Sequence, residues 1–501
     1  MNQNLYSRFS RAFAPGLDKP AVVTPRGETY RYADLEARSA AIAAHLVALG
    51  AHPGDRVTVQ VGKSVEALWL YLACLRSGLV FHPLNDGYRR DEVAFLLTDA
   101  EPCIAVCDPA AEAQFRELAP TGCRVLTLDA VGKGSLLAAT MAEAPAFETV
   151  ARAAGDTAVL LYTSGTTGQP KGAMLSHGNL AANAATLASA WGFSATDRLL
   201  HALPIYHAHG LFVGLGCAFM SGASLEWLSR FDAGEVVGAL GRSTVMMGVP
   251  TYYTRLLAEP SFTRERCATM RLFVSGSAPL SPETFAAFRE RSGHAILERY
   301  GMTETGMNAA NPLRGERRPG SVGPALPGVS IRIAGAASAG TIGEIEVRGP
   351  NVFSGYWRAP EKTAESFTAD GWFRTGDQGF LDGDGYLTIA GRSKDLVISG
   401  GLNVYPREVE LAIEQLPGVH EAAVIGVPHP DLGEAVVAIV TGNGIDEAAI
   451  MSALRGRLAG FKLPKRLVRK VALPRNAMGK IEKNSLRREL AGLFTTKDQA
   501  Q

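Results

Sequence analysis

The first 320 residues alternate between helical and strand-like patterns of apolar positions. One stretch carries Leu35, Ile42, Leu46 and Leu49 on a single helical face, with Asp34 able to cap its start and a glycine at its end. The segment DRVTVQV follows, with valine at every second position as in a strand, and a second helical stretch comes after it. This repeated order predicts βαβ units and mostly parallel sheets.

From about residue 320 the pattern changes to short strands joined by glycine-rich turns. Asp382 and Asp384 lie in one such turn, which we interpret as a hairpin because the other ligands of a calcium loop are missing. Beyond residue 394 the order becomes helix, strand, strand, helix and a basic tail. The sequence predicts an α/β protein with a large multi-subdomain N-terminal domain (1–393) of mostly parallel sheets and a small α+β C-terminal domain (394–501).

Composition narrows the class of protein. The chain has 501 residues, 47% of them hydrophobic, enough for two or three packed domains. Lysine and arginine total 50 against 49 for aspartate and glutamate, a balance that predicts neither nucleic acid nor a membrane as partner. The six cysteines are scattered, which favours free thiols and a cytoplasmic location. The N-terminal segment lacks an apolar signal core, so we expect an ordinary helix there; a transit peptide is the second interpretation.

Residues 162–172, YTSGTTGQPKG, crowd hydroxyl side chains, three glycines and Lys171 into one short loop. Glycines let the backbone approach an anion and turn N–H groups towards it, while the lysine adds charge. The loop differs from a Walker P-loop, because Pro170 stands where that motif has its second glycine. We therefore interpret it as a polyphosphate-binding loop of another kind rather than as a flexible surface turn.

Further motifs follow this loop along the chain. They are LPIYHAHG (203–210), SGSAPL (275–280), ERYGMTET (298–305), GYW (355–357), FRTGD (373–377), GRSKDLVISGGLNVYPREVE (391–410) and PRNAMGKIEK (474–483). In sequence and order they resemble the motifs of the adenylate-forming superfamily, which contains acyl-CoA synthetases, peptide-synthetase adenylation domains and luciferases. The resemblance covers nearly the whole chain and implies an acyl-adenylate intermediate, with ATP, Mg²⁺ and coenzyme A taking part.

The resemblance assigns most of the motif residues to the nucleotide. They are Thr163, Ser164, Thr166, Thr167, Lys171 and Thr303 for the phosphates, Glu304 for Mg²⁺, Gly276, Ser277, Ala278, Tyr300 and Gly301 for the adenine side, and Asp377 and Arg392 for the ribose. The chemistry is appropriate, since an acceptor-only carboxylate suits two ribose hydroxyls and a hard cation between phosphates prefers oxygen ligands.

Lys480 is the catalytic lysine that the resemblance implies. In the first step negative charge gathers between the substrate carboxylate and the α-phosphate, and an ammonium bridging them stabilises the transition state. Acetylation of Lys480 would remove that charge and could regulate the enzyme.

The second step, attack by a thiol, requires that the lysine loop leave. The resemblance implies that the small domain rotates about Lys394 and presents Gly400 and Gly401 along the thiol path. His207 would line the junction of the acyl and thiol sites. His209 is equally well explained as a structural residue, and no third ligand supports a metal site at these histidines.

Arg255 and Arg299 lie in motifs that border the acyl pocket in the family. A guanidinium in that pocket indicates a second carboxylate on the acid, because arginine offers a rigid bidentate fork for that group. Structural salt bridges are the alternative role. With HAHGLFV, SGSAPL and RYGMTETGMN, the two arginines resemble those of malonyl-CoA synthetases, so malonate is the expected acid and methylmalonate a second candidate.

Two other functions remain open at the level of sequence. The chain could activate a different short acid, such as acetate, propionate or a hydroxy acid. It could also be a stand-alone adenylating enzyme whose partner is a carrier protein. A nucleotide sensor without catalysis is disfavoured because Lys480 and Glu304 are both present.

Overall fold

The computed structural model describes residues 2–138, 146–164, 170–392, 395–399, 402–429, 432–455, 457–458, 460–476 and 479–494. The strands are β1 (Pro20–Val23), β2 (Thr29–Arg31), β3 (Arg56–Gln60), β4 (Val80–Pro83), β5 (Ile104–Cys107), β6 (Arg124–Thr127), β7 (Thr157–Ser164), β8 (Pro170–Ser176), β9 (Arg198–His201), β10 (Ser224–Trp227), β11 (Val245–Gly248), β12 (Leu272–Ser275), β13 (Leu297–Met302), β14 (Gly306–Ala310), β15 (Ser330–Ile333), β16 (Gly343–Arg348), β17 (Phe373–Leu381), β18 (Leu387–Arg392), β19 (Val397–Ser399), β20 (Leu402–Val404), β21 (Val419–His429), β22 (Gly433–Gly442) and β23 (Arg466–Arg469).

Helices alternate with these strands through the first half of the chain. They are α1 (Leu5–Phe13), α2 (Tyr32–Ala48), α3 (Val65–Arg76), α4 (Arg90–Ala100), α5 (Glu112–Leu118), α6 (Ser135–Ala138), α7 (His177–Ala190), α8 (Leu215–Ser221), α9 (Ala233–Leu240), α10 (Pro250–Ala258), α11 (Pro282–Ser292), α12 (Pro360–Glu365), α13 (Pro406–Glu414), α14 (Glu447–Arg455) and α15 (Lys483–Leu490), with a π-helix at His209–Gly214.

Two large sheets form the N-terminal part. One has the strand order β6-β5-β3-β4-β7-β8 and the other β14-β13-β12-β11-β9-β10-β1-β2, and parallel pairs dominate both. The predicted α/β class, with a large domain of mostly parallel sheets and a small C-terminal domain, is confirmed. In such sheets ligands bind beyond the carboxyl ends of the strands, and that edge carries the candidate site.

The helix predicted around Asp34 is present, but it starts earlier than the sequence indicated. Helix α2 begins at Tyr32, so Asp34 occupies the third helical position rather than the N-cap. Its carboxylate still accepts the backbone N–H of Arg31 at 2.6 Å, which satisfies one of the free donors at the helix start. The predicted apolar face is buried through Leu35, Ile42 and Leu46.

A third sheet, β15-β16-β17-β18, is antiparallel and carries the turn that contains Asp382 and Asp384. Both carboxylates accept hydrogen bonds from Arg318, at 2.8 Å each. The turn joins β17 to β18 as a hairpin, as predicted.

The small C-terminal part has its own sheet, β20-β19-β22-β21, with β23 added beside β22. Its apolar clusters draw only on residues from Val397 onwards, including Val424, Val436 and Leu454. Helix α15 and strand β23 fall within the basic tail, where the charged sequence gave no periodic apolar signal. Residues 393 and 394, at the predicted domain boundary, lie outside the described residues, so the boundary stays a prediction.

Two expectations from composition concern thiols and membranes. The six cysteines are free, and four of them are buried. Within the part of the chain that the structure describes, no helix combines the length and apolar character needed to cross a membrane. The N-terminal segment forms α1, whose first turn is capped by the side chain of Asn4.

Candidate active site

A buried carboxylate, Asp377, lies at the centre of one wall of the site. The β17–β18 register sets Asp377 opposite Arg392, whose Nε forms an ion pair with the carboxylate at 2.9 Å. The hydroxyl of Tyr300 donates to the other oxygen at 2.6 Å. Burial, and then the charge of Asp377, raise the pKa of Tyr300 well above its usual value, so this hydroxyl keeps its proton. The carboxylate is thereby held between a hydroxyl that donates a hydrogen bond and the positive charge of Arg392.

The phosphate-binding loop is described at its two ends. Strands β7 and β8 form an antiparallel pair in which Thr163 lies opposite Lys171. The hydroxyls of Thr163 and Tyr356 donate to Oε1 of Glu304, at 3.2 and 3.0 Å. The ammonium of Lys171 lies 5.2 Å from the centre of the Tyr356 ring. A cation, a hydroxyl and a buried carboxylate therefore meet at the mouth of this loop.

The structure describes only some of the predicted phosphate ligands. Thr166 and Thr167 lie outside the described residues, and of Ser164 only the backbone is described. Thr303 is half-buried in the turn that precedes Glu304. Their assignment to phosphate stays a prediction.

The segment after β12 passes close to Arg299 of β13. Ser277 has a φ of 71°, a left-handed conformation that is uncommon for a residue with a side chain. A Cβ placed on Gly276 would lie 2.3 Å from Cζ of Arg299, so glycine is required where the guanidinium packs on this backbone. Ala278 completes the same turn.

Arg299 is the most unusual charge in the site. The residue is only 4% exposed, and its Nε and Nη2 atoms have no hydrogen-bond partner among the described residues. Burial lowers the pKa of Arg299 to about 10, which still leaves the guanidinium charged at neutral pH. A buried, unpaired charge is costly, and proteins rarely keep one without a ligand to pair it.

One histidine, His209, lies close enough to feel the charge of this guanidinium, and His207 lies near His209. Burial, followed by the charge of Arg299, lowers the pKa of His209 well below its usual value, and its Nδ1 lies 3.4 Å from Oγ of Ser277. Burial and the charge of Lys480 lower the pKa of His207 to about 4. Both imidazoles are therefore neutral at pH 7. His209, which the sequence left equally well explained as structural, belongs to the site, and its Nε2 also lacks a partner among the described residues.

Lys480 reaches the site from the small domain. An isolated bridge between Arg475 and Ile481 shapes its loop, and the side chain of Asn476 accepts the backbone N–H of Lys480 at 3.0 Å. A Cβ on Gly479 would lie 3.0 Å from Oγ1 of Thr251 in α10, so the loop lies directly on the large domain.

The surroundings of the Lys480 ammonium change its acidity. The side chain as a whole retains exposure to solvent, but protein groups enclose its amino end. Desolvation and the charge of Arg392 lower the pKa of Lys480 to about 8, against the opposing effect of Asp377. Charges from Arg299 and Glu304 also act on it, which brings the lysine into one site with the nucleotide-side and acyl-side residues.

Among the described residues, no contact or charge interaction joins Arg255 to Arg299. Arg255 is exposed on α10, and its charge acts on Tyr252, one turn earlier. Tyr252 lines a cavity of about 200 Å³ together with Tyr206 and Lys63. The described contacts join Arg255 to the rim of this cavity and do not bring it beside Arg299.

The residues predicted for the second step are Lys394, Gly400 and Gly401. All three lie outside the described residues. Their roles as hinge and thiol path stay predictions.

Comparison with protein-family models gives two matches. Residues 9–357 match the family described as AMP-binding enzyme, and residues 408–480 match the AMP-binding enzyme C-terminal domain.

Similar chains of known structure or name support these matches. The crystal structure of ATP-bound MatB from Rhodopseudomonas palustris has a TM-score of 0.96 at 50% identity, covering 99% of this chain and 100% of that one. The crystal structure of apo MatB from the same organism has a TM-score of 0.86 at 50% identity, covering 99% of this chain and 100% of that one.

Two named relatives differ in the acid that they activate. A feruloyl-CoA synthase from an Amycolatopsis species is 36% identical and covers 92% of this chain and 94% of its own length. The mitochondrial malonate–CoA ligase of Mus musculus is also 36% identical, with 96% and 90% coverage.

Proposed function

The chain belongs to the family of AMP-binding enzymes and is an AMP-forming CoA ligase, and we propose that it joins malonate to coenzyme A through a malonyl-adenylate. The observation that carries the choice of acid is the buried, unpaired guanidinium of Arg299. A carboxylate distal to the reacting one would supply its missing partner through two parallel N–H···O bonds. Neutral His209 can contribute a further hydrogen bond beside it.

ATP would lie along the wall formed by the motif residues. The carboxylate of Asp377 would accept the two ribose hydroxyls, and the ring of Tyr300 would stack on the adenine beside Gly276, Ser277 and Ala278. The phosphates would extend towards Lys171. In the free protein the Tyr300 hydroxyl donates to Asp377, and in the complex the ribose hydroxyls would take its place. The Asp377 carboxylate would therefore accept a hydrogen bond in both states.

Glu304 is the residue proposed to bind Mg²⁺, and its environment fits the ion. A buried carboxylate that accepts two hydroxyl hydrogen bonds offers the hard oxygen ligand that Mg²⁺ prefers. No group of three or more His, Cys, Asp or Glu that could hold a metal occurs among the described residues. When bound, the ion would neutralise phosphate charge.

In the first step a carboxylate oxygen of malonate attacks the α-phosphorus. A new P–O bond forms, the bond to the β-phosphate oxygen breaks, and pyrophosphate leaves with that electron pair. The Lys480 ammonium stabilises the negative charge shared by the carboxylate and the α-phosphate. Arg299 holds the distal carboxylate, so that only the other one faces ATP.

In the second step the coenzyme A sulfur attacks the acyl carbon and loses its proton to solvent. A C–S bond forms, and the C–O bond to AMP breaks. We propose that rotation about Lys394 removes Lys480 from the path of the thiol and brings Gly400 and Gly401 beside it. His207 would line the path of the thiol. Because its imidazole is neutral, it would not hold the attacking sulfur in an ion pair.

The experiment that tests this function measures pyrophosphate release and acyl-CoA formation by the purified protein alone. The acids are malonate, methylmalonate, sulfoacetate, acetate, propionate and lactate. We expect the highest kcat/KM with malonate and free malonyl-CoA as product. Preference for propionate would overturn malonate and favour a different short acid. Pyrophosphate release without acyl-CoA would favour the carrier-protein alternative.

The first step should lose activity as pH rises above about 8. The pKa of Lys480 lies below its usual value of 10.5, at about 8, so the ammonium is charged below that pH and neutral above it. Because kcat/KM reports the ionisation of free enzyme, kcat/KM for pyrophosphate release without coenzyme A should fall through pH 8. In Lys480→Arg the charge persists, and the remaining activity should show no fall near pH 8. A wild-type profile flat to pH 10 would contradict the prediction.

Replacing Gly276 by alanine should displace Arg299. The new Cβ would meet Cζ of the guanidinium at 2.3 Å, and an over-packed site typically costs about 1–3 kcal/mol, or roughly five- to 150-fold in kcat/KM for malonate. Propionate efficiency should change less, because that acid does not need the arginine. Gly238→Ala in α9 is the control, since no atom lies within 4 Å of its added Cβ. Equal losses with both acids would mean that the substitution disturbs the nucleotide wall instead.

A further inference from the structure

Lys63, which follows β3, forms a bridge between the two large sheets. Its ammonium donates to Nδ1 and to the backbone oxygen of His201 at 2.9 and 2.7 Å, and to the backbone oxygen of Leu228 at 2.6 Å. The ammonium also lies 4.2 Å from the centre of the Trp227 ring. None of these partners is a carboxylate. The cation is thus held by neutral groups at the carboxyl ends of β9 and β10.

The three donors of the ammonium are all engaged. Lys63 borders the cavity beside Tyr206, and an incoming anion there would have to displace an existing hydrogen bond. We therefore expect Lys63 to act by positioning the protein groups that it contacts, and not by binding a ligand directly.

The contacts of His201 fix which of its nitrogens carries the proton. A backbone oxygen can only accept, so Nε2 carries the hydrogen and donates to the oxygen of Gly210 at 3.0 Å. Burial lowers the pKa of His201 well below its usual value, so the ring is neutral and Nδ1 accepts the hydrogen bond from Lys63. Gly210 belongs to the π-helix, and a Cβ there would lie 2.1 Å from the oxygen of Pro204, so the backbone fits closely at this point.

The same backbone segment carries the two site histidines. The N–H of Leu211 donates to the oxygen of His207 at 2.8 Å, and His209 is the first residue of the π-helix. A fixed Gly210 therefore fixes the position from which His207 and His209 face the acyl site. π-Helical turns occur frequently at functional sites, where they need support of this kind.

We propose that Lys63 is a positioning residue for the acyl site, which acts through His201 and Gly210 to hold His209 near Arg299 and His207 beside it. The proposal deepens the proposed function, since it concerns the acid-binding half of that site. Phosphate-binding groups such as Lys171 lie on other strands, so loss of the bridge should affect the acid more than ATP.

The test is Lys63→Met, which keeps the length of the side chain and removes all three donors. We expect KM for the acid to rise about tenfold or more, the size that loss of a hydrogen bond to a charged group produces. KM for ATP should stay within about twofold of wild type, because the substitution leaves the groups proposed to bind ATP unchanged. The acid in this test is the one for which the wild-type protein has the highest kcat/KM. The test therefore stays valid even if that acid is not malonate.

Arg76→Met is the matched control. Arg76 is a buried cation at the far end of α3 that likewise donates to backbone oxygens, those of Glu36 and Phe147, at 2.8 Å each. It should lower the melting temperature without changing the ratio of the two KM values. An unchanged acid KM in Lys63→Met, or a parallel rise of both KM values, would overturn the proposal.

A double-mutant cycle distinguishes action through His201 from a separate effect. If the two residues act as one unit, the double variant Lys63→Met/His201→Phe should raise the acid KM by less than the product of the two single-variant increases. Independent, additive effects would refute the proposed route. If Lys63→Met does not fold, His201→Phe alone provides the same KM readout, because it removes the link to Gly210 and leaves the lysine bound to Leu228.

Discussion

Lys480→Ala is expected to slow malonyl-adenylate formation by about 100- to 1000-fold, the loss typical when one electrostatic stabiliser of a transition state is removed. Thioester formation from supplied malonyl-adenylate should stay near the wild-type rate. The difference arises because the ammonium stabilises charge between a carboxylate and an α-phosphate, an arrangement that exists only in the first step. Pyrophosphate release in single turnovers without coenzyme A measures the first step, and malonyl-CoA formation from prepared adenylate measures the second.

A matched control for this variant is Lys470→Ala in the same small domain. Lys470 pairs with Glu489 at 2.6 Å in α15, away from the site, and neither half-reaction should change more than about twofold. Acetylation of Lys480 removes the same charge and should reproduce the alanine variant. Equal losses in both half-reactions of Lys480→Ala would refute the division of roles between the two steps.

Sequence was informative about the nucleotide side because its residues sit in compact motifs. Thr163 and Lys171 are eight positions apart within one predicted loop motif, and the structure sets them opposite each other on β7 and β8. Asp377 and Arg392 also belong to adjacent strands of one hairpin. Local sequence determines local pairing, so these parts of the site could be predicted.

The acyl side depends on packing between distant segments, which no local pattern reveals. The sequence placed Arg299 near the acid, but its lack of a partner follows from how Gly276, Tyr253 and His209 enclose it. The sequence analysis did not single out Lys63, because its partners His201 and Leu228 lie 138 and 165 positions away. A lysine directly after an apolar strand was the one available signal.

The start of helix α2 also depends on a contact between distant segments, which local sequence does not reveal. Asp34 was predicted as an N-cap from residue type, yet Tyr32 begins the helix because its hydroxyl bonds the oxygen of Ala223 at 2.6 Å and its ring is buried. The helix thus starts three residues earlier than the predicted cap implied, beside a contact across 191 positions. Tertiary burial outweighed the local capping preference here.

Arg299→Met should change the choice of acid. Loss of one partner from a buried ionic pair costs about 3–5 kcal/mol, so kcat/KM for malonate should fall by roughly 150- to 5000-fold. Propionate has no distal carboxylate, and its kcat/KM should stay level or improve once the uncompensated charge is gone. The ratio of malonate to propionate efficiency is therefore the quantity to measure, with both acids assayed by pyrophosphate release.

Thermal unfolding of the same variant separates a substrate-binding arginine from a structural one. Because Arg299 is buried without a partner in the free protein, its replacement by methionine should leave the melting temperature unchanged or raise it. Arg255→Met is the control: its exposed guanidinium should contribute no more than about 1 kcal/mol to acid binding, or about fivefold in kcat/KM. A lower melting temperature together with parallel losses for malonate and propionate would make Arg299 architectural. The ligase assignment would then stand without malonate as its acid.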